Sequence, residues 1–229
     1  MKTNKKCFKF NLLLIMLFIT AILITVSMTI FKQPIIRVLP LYVSLVIYFL
    51  ASKINRYSLL IGAINSIFYA GIFFYYKLYG LAAQAILISS TMQIIAFVRW
   101  NKRPYGNSTV LKKMNKKQKT LTLISIAVSL CVLCPLLSMT DTPQALLDSA
   151  VTIISTYSSV LCMLYYVEYT KFSLVSSVLT LWLYIAMIMQ GNHEQVAYLI
   201  FTVFGLICVT KSVFTAKKLL IEQSKKGEV

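Results

Sequence analysis

Polar side chains occur at helical spacing inside the long apolar runs of this sequence. One run contains Asp148, Thr152, Ser155 and Ser159. Their spacing of i, i+4, i+7 and i+11 places them on one face of a helix. Because polar groups are costly in lipid, those inside a membrane helix usually face the interior of the helix bundle and mark a path for a solute. The candidate binding residues found in this way are Asn65, Tyr69, Gln93, Asp148, Thr152, Ser155, Thr180 and Tyr184.

These groups suit an uncharged or cationic ring compound that carries hydroxyl groups. The amides of Asn65 and Gln93 can pair with a carboxamide or with ribose hydroxyls, and the Asp148 carboxylate can accept two hydroxyl protons. Tyrosine rings can stack on a flat ring, more strongly if that ring is cationic. On an ideal α-helix, Gln93 shares a face with Ser89, whereas Gln84 points nearly opposite. For the serines and threonines, the alternative is hydrogen bonding between neighbouring helices.

The sequence lacks the usual patterns of an enzyme. It contains no His-Glu-x-x-His, no Gly-x-Ser-x-Gly and no Gly-x-x-x-x-Gly-Lys phosphate loop. Cys131 and Cys134 form a Cys-x-x-Cys pair, but they lie in an apolar run before Pro135, where packing is the better interpretation. We therefore expect neither an enzyme nor a bound cofactor or metal ion.

The elements that must hold the candidate residues are membrane helices. Of the 229 residues, 59% are apolar and 13% are charged, against about 45–50% and about 25% in soluble domains. A helix needs about 20 apolar residues to cross a bilayer, and eight runs approach or exceed that length. They are residues 8–31, 35–52, 57–76, 81–98, 121–140, 145–167, 172–190 and 195–214.

The first run follows several lysines and could also be a secretory signal peptide. Its apolar stretch of about 20 residues is longer than the 7–15 residues of a signal, and no Ala-x-Ala cleavage site follows it. We therefore predict a retained helix. Without it, the number of spans would be seven.

Lysine and arginine are concentrated in alternate loops, which predicts the orientation. With the N terminus inside, nearly all of the 23 basic residues fall in inner segments, and only Lys32 and Lys77 fall in outer loops. Eight spans with both termini cytosolic fit this distribution. This distribution of basic residues also explains the net charge of +17 better than nucleic-acid binding by the basic loop 99–119 does. Arg37, near the outer end of its run, either pairs with Asp148 or extends to the outer interface.

A weak internal repeat relates the two halves of the chain. A shift of 115 residues places Tyr57-Ser58-Leu59-Leu60 on Phe172-Ser173-Leu174-Val175, and Tyr69 on Tyr184. Two three-helix units that run in the same direction need one linker helix between them. Parallel repeats with a site between them at mid-membrane are a transporter architecture, as in the SWEET proteins.

The predicted fold is an all-α polytopic membrane protein with one extra N-terminal helix and a 3+1+3 parallel-repeat, SWEET-like core. Its predicted segments are the extra helix 1–34, the first bundle 35–100, the basic cytosolic loop 101–118, the linker helix and outer loop 119–144, the second bundle 145–218 and the cytosolic tail 219–229.

Several short motifs occur between residues 35 and 218. They are Leu78-Tyr79-Gly80, Trp100 beside basic residues, Leu147-Asp148 opening a run with Thr152 and Ser155, and Glu168 before the next helix. In these motifs the sequence resembles the PnuC family of nicotinamide riboside (nicotinamide mononucleotide) transporters. The family commonly carries Trp-x-x-Trp at the start of its penultimate helix, where this chain has Tyr169-Thr170-Lys171-Phe172.

The resemblance implies uptake of nicotinamide riboside across a bacterial-type cell membrane by facilitated diffusion, with phosphorylation inside the cell trapping the product. With Asp148 as the only acid in a run and His193 in an outer loop, we also expect no proton relay. Relatives are thought to carry thiamine or riboflavin, so another vitamin is the alternative substrate. A non-transporting membrane scaffold is a further alternative. The expected partners are a small vitamin or nucleoside and the lipid bilayer, not nucleic acid, and a homo-oligomer is left open.

Overall fold

The protein is a bundle of helices, and the computed structural model describes residues 4–140 and 144–227. Each of the eight predicted runs forms a helix. The elements are α1 (Asn4–Ile30), α2 (Ile35–Ala51), α3 (Tyr57–Tyr75), α4 (Tyr79–Ala83), a π-helical turn (Gln84–Ser89), α5 (Ser90–Lys102), β1 (Pro104–Tyr105), β2 (Ser108–Thr109), α6 (Lys116–Ser138), α7 (Ala145–Met163), α8 (Tyr169–Met189), a 3₁₀ turn (His193–Gln195) and α9 (Val196–Lys225).

Seven helices in the described ranges are long and apolar enough to cross a membrane, with α4, the π-helical turn and α5 counted as one helix of 24 residues. Helix α2 is also apolar but has only 17 residues. The prediction of an all-helical membrane protein is therefore confirmed, apart from the small hairpin of β1 and β2.

Several helix ends differ from the predicted boundaries. Helix α6 begins at Lys116 because Asn115 and Gln118 form a reciprocal capping box there. Helix α9 continues to Lys225, well past the end of its apolar run, because lysine, glutamate and glutamine are good helix formers. Apolar runs mark where a helix crosses the bilayer, and they do not mark where the helix ends.

Large apolar side chains cover the outside of the bundle. Ile22, Leu87 and Trp182 are each more than 60% exposed, which suits contact with lipid chains. Inside, one buried cluster joins α1, α2 and α9 through Ile24, Leu41, Leu45, Tyr198 and Phe204. A second cluster joins α4, α7 and α8 through Leu78, Leu81, Val151, Leu183 and Met187.

Three loops and the C-terminal tail meet at one end of the bundle, which we call the basic end. The Arg56 N–H donates to the Asn107 carbonyl at 2.9 Å, and the Lys112 N–H donates to the Tyr165 carbonyl at 2.9 Å. The Gln223 side chain, in α9, accepts from the Leu111 N–H at 2.9 Å. The segments with most of the basic residues therefore lie together.

A charged cluster joins α2, α3 and the start of α9 at the opposite end. Arg37 forms an ion pair with Glu194 at 3.0 Å, and the Tyr76 hydroxyl donates to the same carboxylate at 3.1 Å. The Arg37 guanidinium also lies over the Tyr75 ring, 3.7 Å from its centroid. The alternative that Arg37 pairs with Asp148 is therefore wrong, because Arg37 pairs with Glu194 and the Asp148 carboxylate accepts from two backbone N–H groups.

Candidate functional site

A cavity of about 310 Å³ lies within the bundle, lined by residues of α2, α3, the α4–α5 segment, α7, α8 and α9. We call it the central cavity. Its volume falls at the lower end of the range of about 300–1,000 Å³ that is usual for small-molecule sites. More than half of its lining residues are serines and threonines, namely Ser44, Ser66, Ser89, Ser155, Ser158, Ser159, Ser173, Ser176, Ser177, Thr180 and Thr202.

Many of these hydroxyls donate to a carbonyl one turn earlier on their own helix. Ser177 donates to the Ser173 carbonyl at 2.9 Å, and Thr180 donates to the Ser176 carbonyl at 2.9 Å. Thr202 does the same on α9, to the Tyr198 carbonyl at 2.8 Å. The hydroxyl hydrogen of each residue is thereby used, while its oxygen keeps a lone pair that can accept a further hydrogen bond. The wall therefore offers acceptors to the hydroxyl or amide hydrogens of a solute.

Two amide side chains also line the central cavity, both from the α4–α5 segment. Gln84 donates to the Ser89 hydroxyl at 2.8 Å, and Gln93 lies 3.4 Å from the Ser66 hydroxyl as a weak donor. The prediction that Gln84 points away from Gln93 is wrong. The wider i to i+5 turn from Gln84 to Ser89 changes the helical register, so Gln84 and Gln93 face the same space.

Gly62 in α3 leaves room for the Gln93 side chain. A Cβ atom at this position would collide with the Gln93 amide oxygen, whereas a Cβ atom at Gly71 in the same helix would meet nothing within 4 Å. Glycine at position 62 therefore lets α3 and α5 approach closely enough for Gln93 to reach Ser66.

Aromatic rings and a few aliphatic side chains form the remaining walls of the central cavity. Tyr69 stacks on Phe73 with ring centroids 5.5 Å apart, and Tyr48 packs against Phe201 at 5.3 Å. Tyr184 also lines the space. Rings from α2, α3, α8 and α9 thus supply flat surfaces on which a planar ring can stack.

The model of the nicotinamide mononucleotide transporter family matches residues 34–213. The chain belongs to this family. A crystal structure of the vitamin B3 transporter PnuC has the same fold, with a TM-score of 0.77 and 21% identity over 92% of this chain and 90% of that one. A search of curated proteins finds no match. The predicted family is confirmed, and so is the prediction of a transport protein and not an enzyme.

The central cavity of this transporter includes five of the eight candidate binding residues. They are Tyr69, Gln93, Ser155, Thr180 and Tyr184. The other three candidates are Asn65, Asp148 and Thr152, which are buried beside the cavity and do not line it.

Asn65 positions two residues that do line the central cavity. Its side-chain nitrogen donates to the Pro40 carbonyl at 3.1 Å and to the Ser44 hydroxyl at 2.7 Å. The Ser44 hydroxyl donates in turn to the Tyr69 hydroxyl oxygen at 3.0 Å. Asn65 therefore fixes α2 against α3 and sets the direction of the Ser44 and Tyr69 hydroxyls.

Asp148 caps helix α4 from the neighbouring helix α7. Its two oxygens accept from the backbone N–H groups of Gly80 and Leu81, each at 3.1 Å. Thr152 lies 3.4 Å from the same carboxylate. The first N–H groups of a helix have no partner in the helix itself, and a carboxylate there is favourable. Asp148 therefore holds the start of the α4–α5 segment, which carries both amides.

Several residues of the central cavity gave no clear signal in the sequence. Tyr48 and Phe201 belong to apolar faces that cannot be told from an ordinary core. A signal did exist for Ser44, because the 115-residue shift places it on Ser159, and both line the cavity. The Tyr169–Phe172 segment, where the resemblance implied a tryptophan pair, does not line the central cavity, and Tyr169 packs on Trp100 with ring centroids 6.2 Å apart.

Proposed function

We propose that this transporter carries nicotinamide riboside through the central cavity into a bacterial-type cell. The observation that carries the proposal is the uncharged character of the described lining, which consists of hydroxyls, two amides, aromatic rings and a few aliphatic groups. A buried phosphate needs a cation or several strong donors. The lining therefore favours the riboside over the phosphorylated mononucleotide.

Each part of the riboside has a matching part of the wall. Nicotinamide riboside carries a cationic ring, and the faces of Tyr69 and Tyr184 suit such a ring. The amides of Gln84 and Gln93 can exchange hydrogen bonds with the carboxamide. The acceptor oxygens of the serines and threonines on α7, α8 and α9 suit the ribose hydroxyls.

The two halves of the cavity wall support a parallel-repeat architecture. The 115-residue shift pairs Tyr69 with Tyr184 and Ser44 with Ser159, and all four residues line the central cavity. In this arrangement α2 to α5 and α7 to α9 are the two bundles, α6 is the linker and α1 is the extra helix. Helix α2, about 26 Å long at 1.5 Å per residue, is then a slightly short eighth span.

The basic end supports an orientation with both termini in the cytosol. Loops rich in lysine and arginine meet there, and such loops are retained on the cytoplasmic side. The end that holds Arg37 and Glu194 then faces outward.

Transport in this proposal is facilitated diffusion. The Asp148 carboxylate is already occupied by two backbone N–H groups, so it is a structural cap and not a proton carrier. The substrate equilibrates across the membrane, and its phosphorylation in the cytosol keeps the net flow inward.

Binding measurements on the purified protein test the choice of substrate. Isothermal titration in detergent with nicotinamide riboside, nicotinamide mononucleotide, thiamine and riboflavin should give the tightest binding for the riboside. Binding of the mononucleotide at equal or higher affinity would contradict the assignment from the uncharged lining. Preference for thiamine or riboflavin would keep the transporter but change its substrate.

A further inference from the structure

A second cavity, of about 270 Å³, lies at the basic end of the bundle, and we call it the lysine cavity. It is formed by the segment before α6, the start of α8 and the C-terminal part of α9. Its charged lining residues are Lys113, Lys119, Lys171, Lys217 and Glu168. Four lysines therefore face one glutamate in a space that is separate from the central cavity.

The glutamate neutralises only one of these lysines. Glu168 is buried, and its carboxylate accepts from the Met114 N–H at 3.2 Å and pairs with Lys119 at 3.4 Å. Lys113, Lys171 and Lys217 are exposed, and none of them forms a salt bridge within the described part of the chain. Three uncompensated ammonium groups around one cavity create a strong local attraction for an anion.

Apart from Thr170, the remaining wall of the lysine cavity is apolar. Val213, Leu220 and Ile221 line it from α9, and Ile221 is 57% exposed. The lysines therefore stand beside an aliphatic surface, close to residue 214, where the apolar run of α9 ends. Basic pockets between helices on the cytoplasmic side suit phosphate groups of lipids, whose chains can lie along the apolar wall.

We propose that the lysine cavity binds a phosphate group, with Lys113, Lys171 and Lys217 as its ligands. The phosphate can come from an anionic phospholipid of the inner leaflet or from a soluble phosphate compound of the cytosol. Both sources share the same chemistry at the lysines, while only the lipid uses the aliphatic wall. This site carries the charges that the central cavity lacks, so it does not depend on the choice of transported substrate.

Native mass spectrometry of the full chain in detergent provides the test. The probes are dioleoylphosphatidylglycerol, dioleoylphosphatidylcholine, ATP and inorganic phosphate, each added at the same concentrations. We expect retention of phosphatidylglycerol over phosphatidylcholine if the source is lipid, and retention of ATP or phosphate if it is soluble. Binding of none of the anionic probes above the phosphatidylcholine level would overturn the proposal.

Charge-matched variants locate the binding. The triple variant Lys113→Gln, Lys171→Gln, Lys217→Gln should weaken the retained anion by about fivefold for each lysine, or roughly a hundredfold in all. The control triple, Lys102→Gln, Lys117→Gln, Lys225→Gln, removes the same charge from exposed lysines outside the cavity and should have a much smaller effect. Replacing the three cavity lysines with arginine should retain binding, which also shows that the site tolerates substitution. Equal losses in the two glutamine triples would overturn the assignment.

Discussion

Gln84 donates a hydrogen bond from its side-chain amide to the Ser89 hydroxyl, 2.8 Å away, across the π-helical turn that contains both residues. Both line the central cavity with Gln93. A regular α-helix would turn Gln84 away from this space, toward the opposite side. The π-helical turn therefore brings a second amide to the cavity, and π-bulges are frequent at functional sites.

Replacing either amide should weaken transport of nicotinamide riboside. Gln84→Leu and Gln93→Leu each replace the amide side chain with an apolar side chain of similar size. A hydrogen bond between neutral groups contributes about 0.5–1.5 kcal/mol. We expect the KM for uptake into proteoliposomes to rise about two- to twelvefold. Gln190→Leu, at an exposed position outside the cavity, is the control. Unchanged uptake by both cavity variants would remove the amides from the substrate site.

A single methyl group at Gly62 should have a similar effect on uptake. In Gly62→Ala the new Cβ atom forces the Gln93 amide out of its position, so uptake should fall about as much as in Gln93→Leu. Gly71→Ala adds the same methyl group to open space on the same helix, and it should transport normally, since alanine favours a helix over glycine. Gly62→Ala should add little in a Gln93→Leu background, and full additivity of the two changes would contradict this coupling.

Asp148→Asn should destabilise the protein more than it weakens substrate binding. The NH₂ group of an asparagine would face the backbone N–H of Gly80 or Leu81, so that N–H would lose its acceptor. A buried donor without an acceptor lowers the free energy of unfolding by about 1–3 kcal/mol. We expect a lower thermal unfolding midpoint in detergent, while saturating riboside still raises that midpoint. Glu222→Gln, which removes an exposed carboxylate on α9, is the control. A normal midpoint combined with loss of the riboside effect would place Asp148 at the substrate.

Cysteine labelling should place the two ends of the bundle on opposite sides of the membrane. In a background without native cysteines, an impermeant maleimide added to whole cells should react with Asn192→Cys. It should not react with Asn107→Cys or Ser224→Cys, although all three positions are exposed in the structure. Labelling of Asn107→Cys from outside would reverse the orientation drawn from the basic loops.

The apolar runs were sufficient to predict the helices, because a bilayer constrains length and composition so strongly. The 115-residue shift pairs Tyr69 with Tyr184 in the sequence, and both residues line the central cavity. The α-helical wheel failed for Gln84, because a π-helical turn changes the register without any mark in the sequence that we could identify.

The role of Asp148 could not be predicted for a different reason. Its stripe on α7 does reach the central cavity, through Ser155 and Ser159, but the carboxylate itself turns to the N–H groups of α4. Those groups lack partners because they begin a helix, and Asp148 reaches them only because the tertiary fold places the start of α4 beside α7. An acidic residue inside a membrane segment indicates that its carboxylate has a polar partner. Only the structure shows whether that partner is a solute or the N terminus of a helix.

Equilibrium uptake by the purified protein in proteoliposomes tests the central claim most directly. Labelled nicotinamide riboside should enter until its inside and outside concentrations match, and neither a proton nor a sodium gradient should change that plateau. Labelled nicotinamide mononucleotide should not enter above the level of empty liposomes. Accumulation of the riboside above the outside concentration under either gradient, or entry of the mononucleotide at the same rate, would contradict facilitated diffusion of the nucleoside through an uncharged cavity.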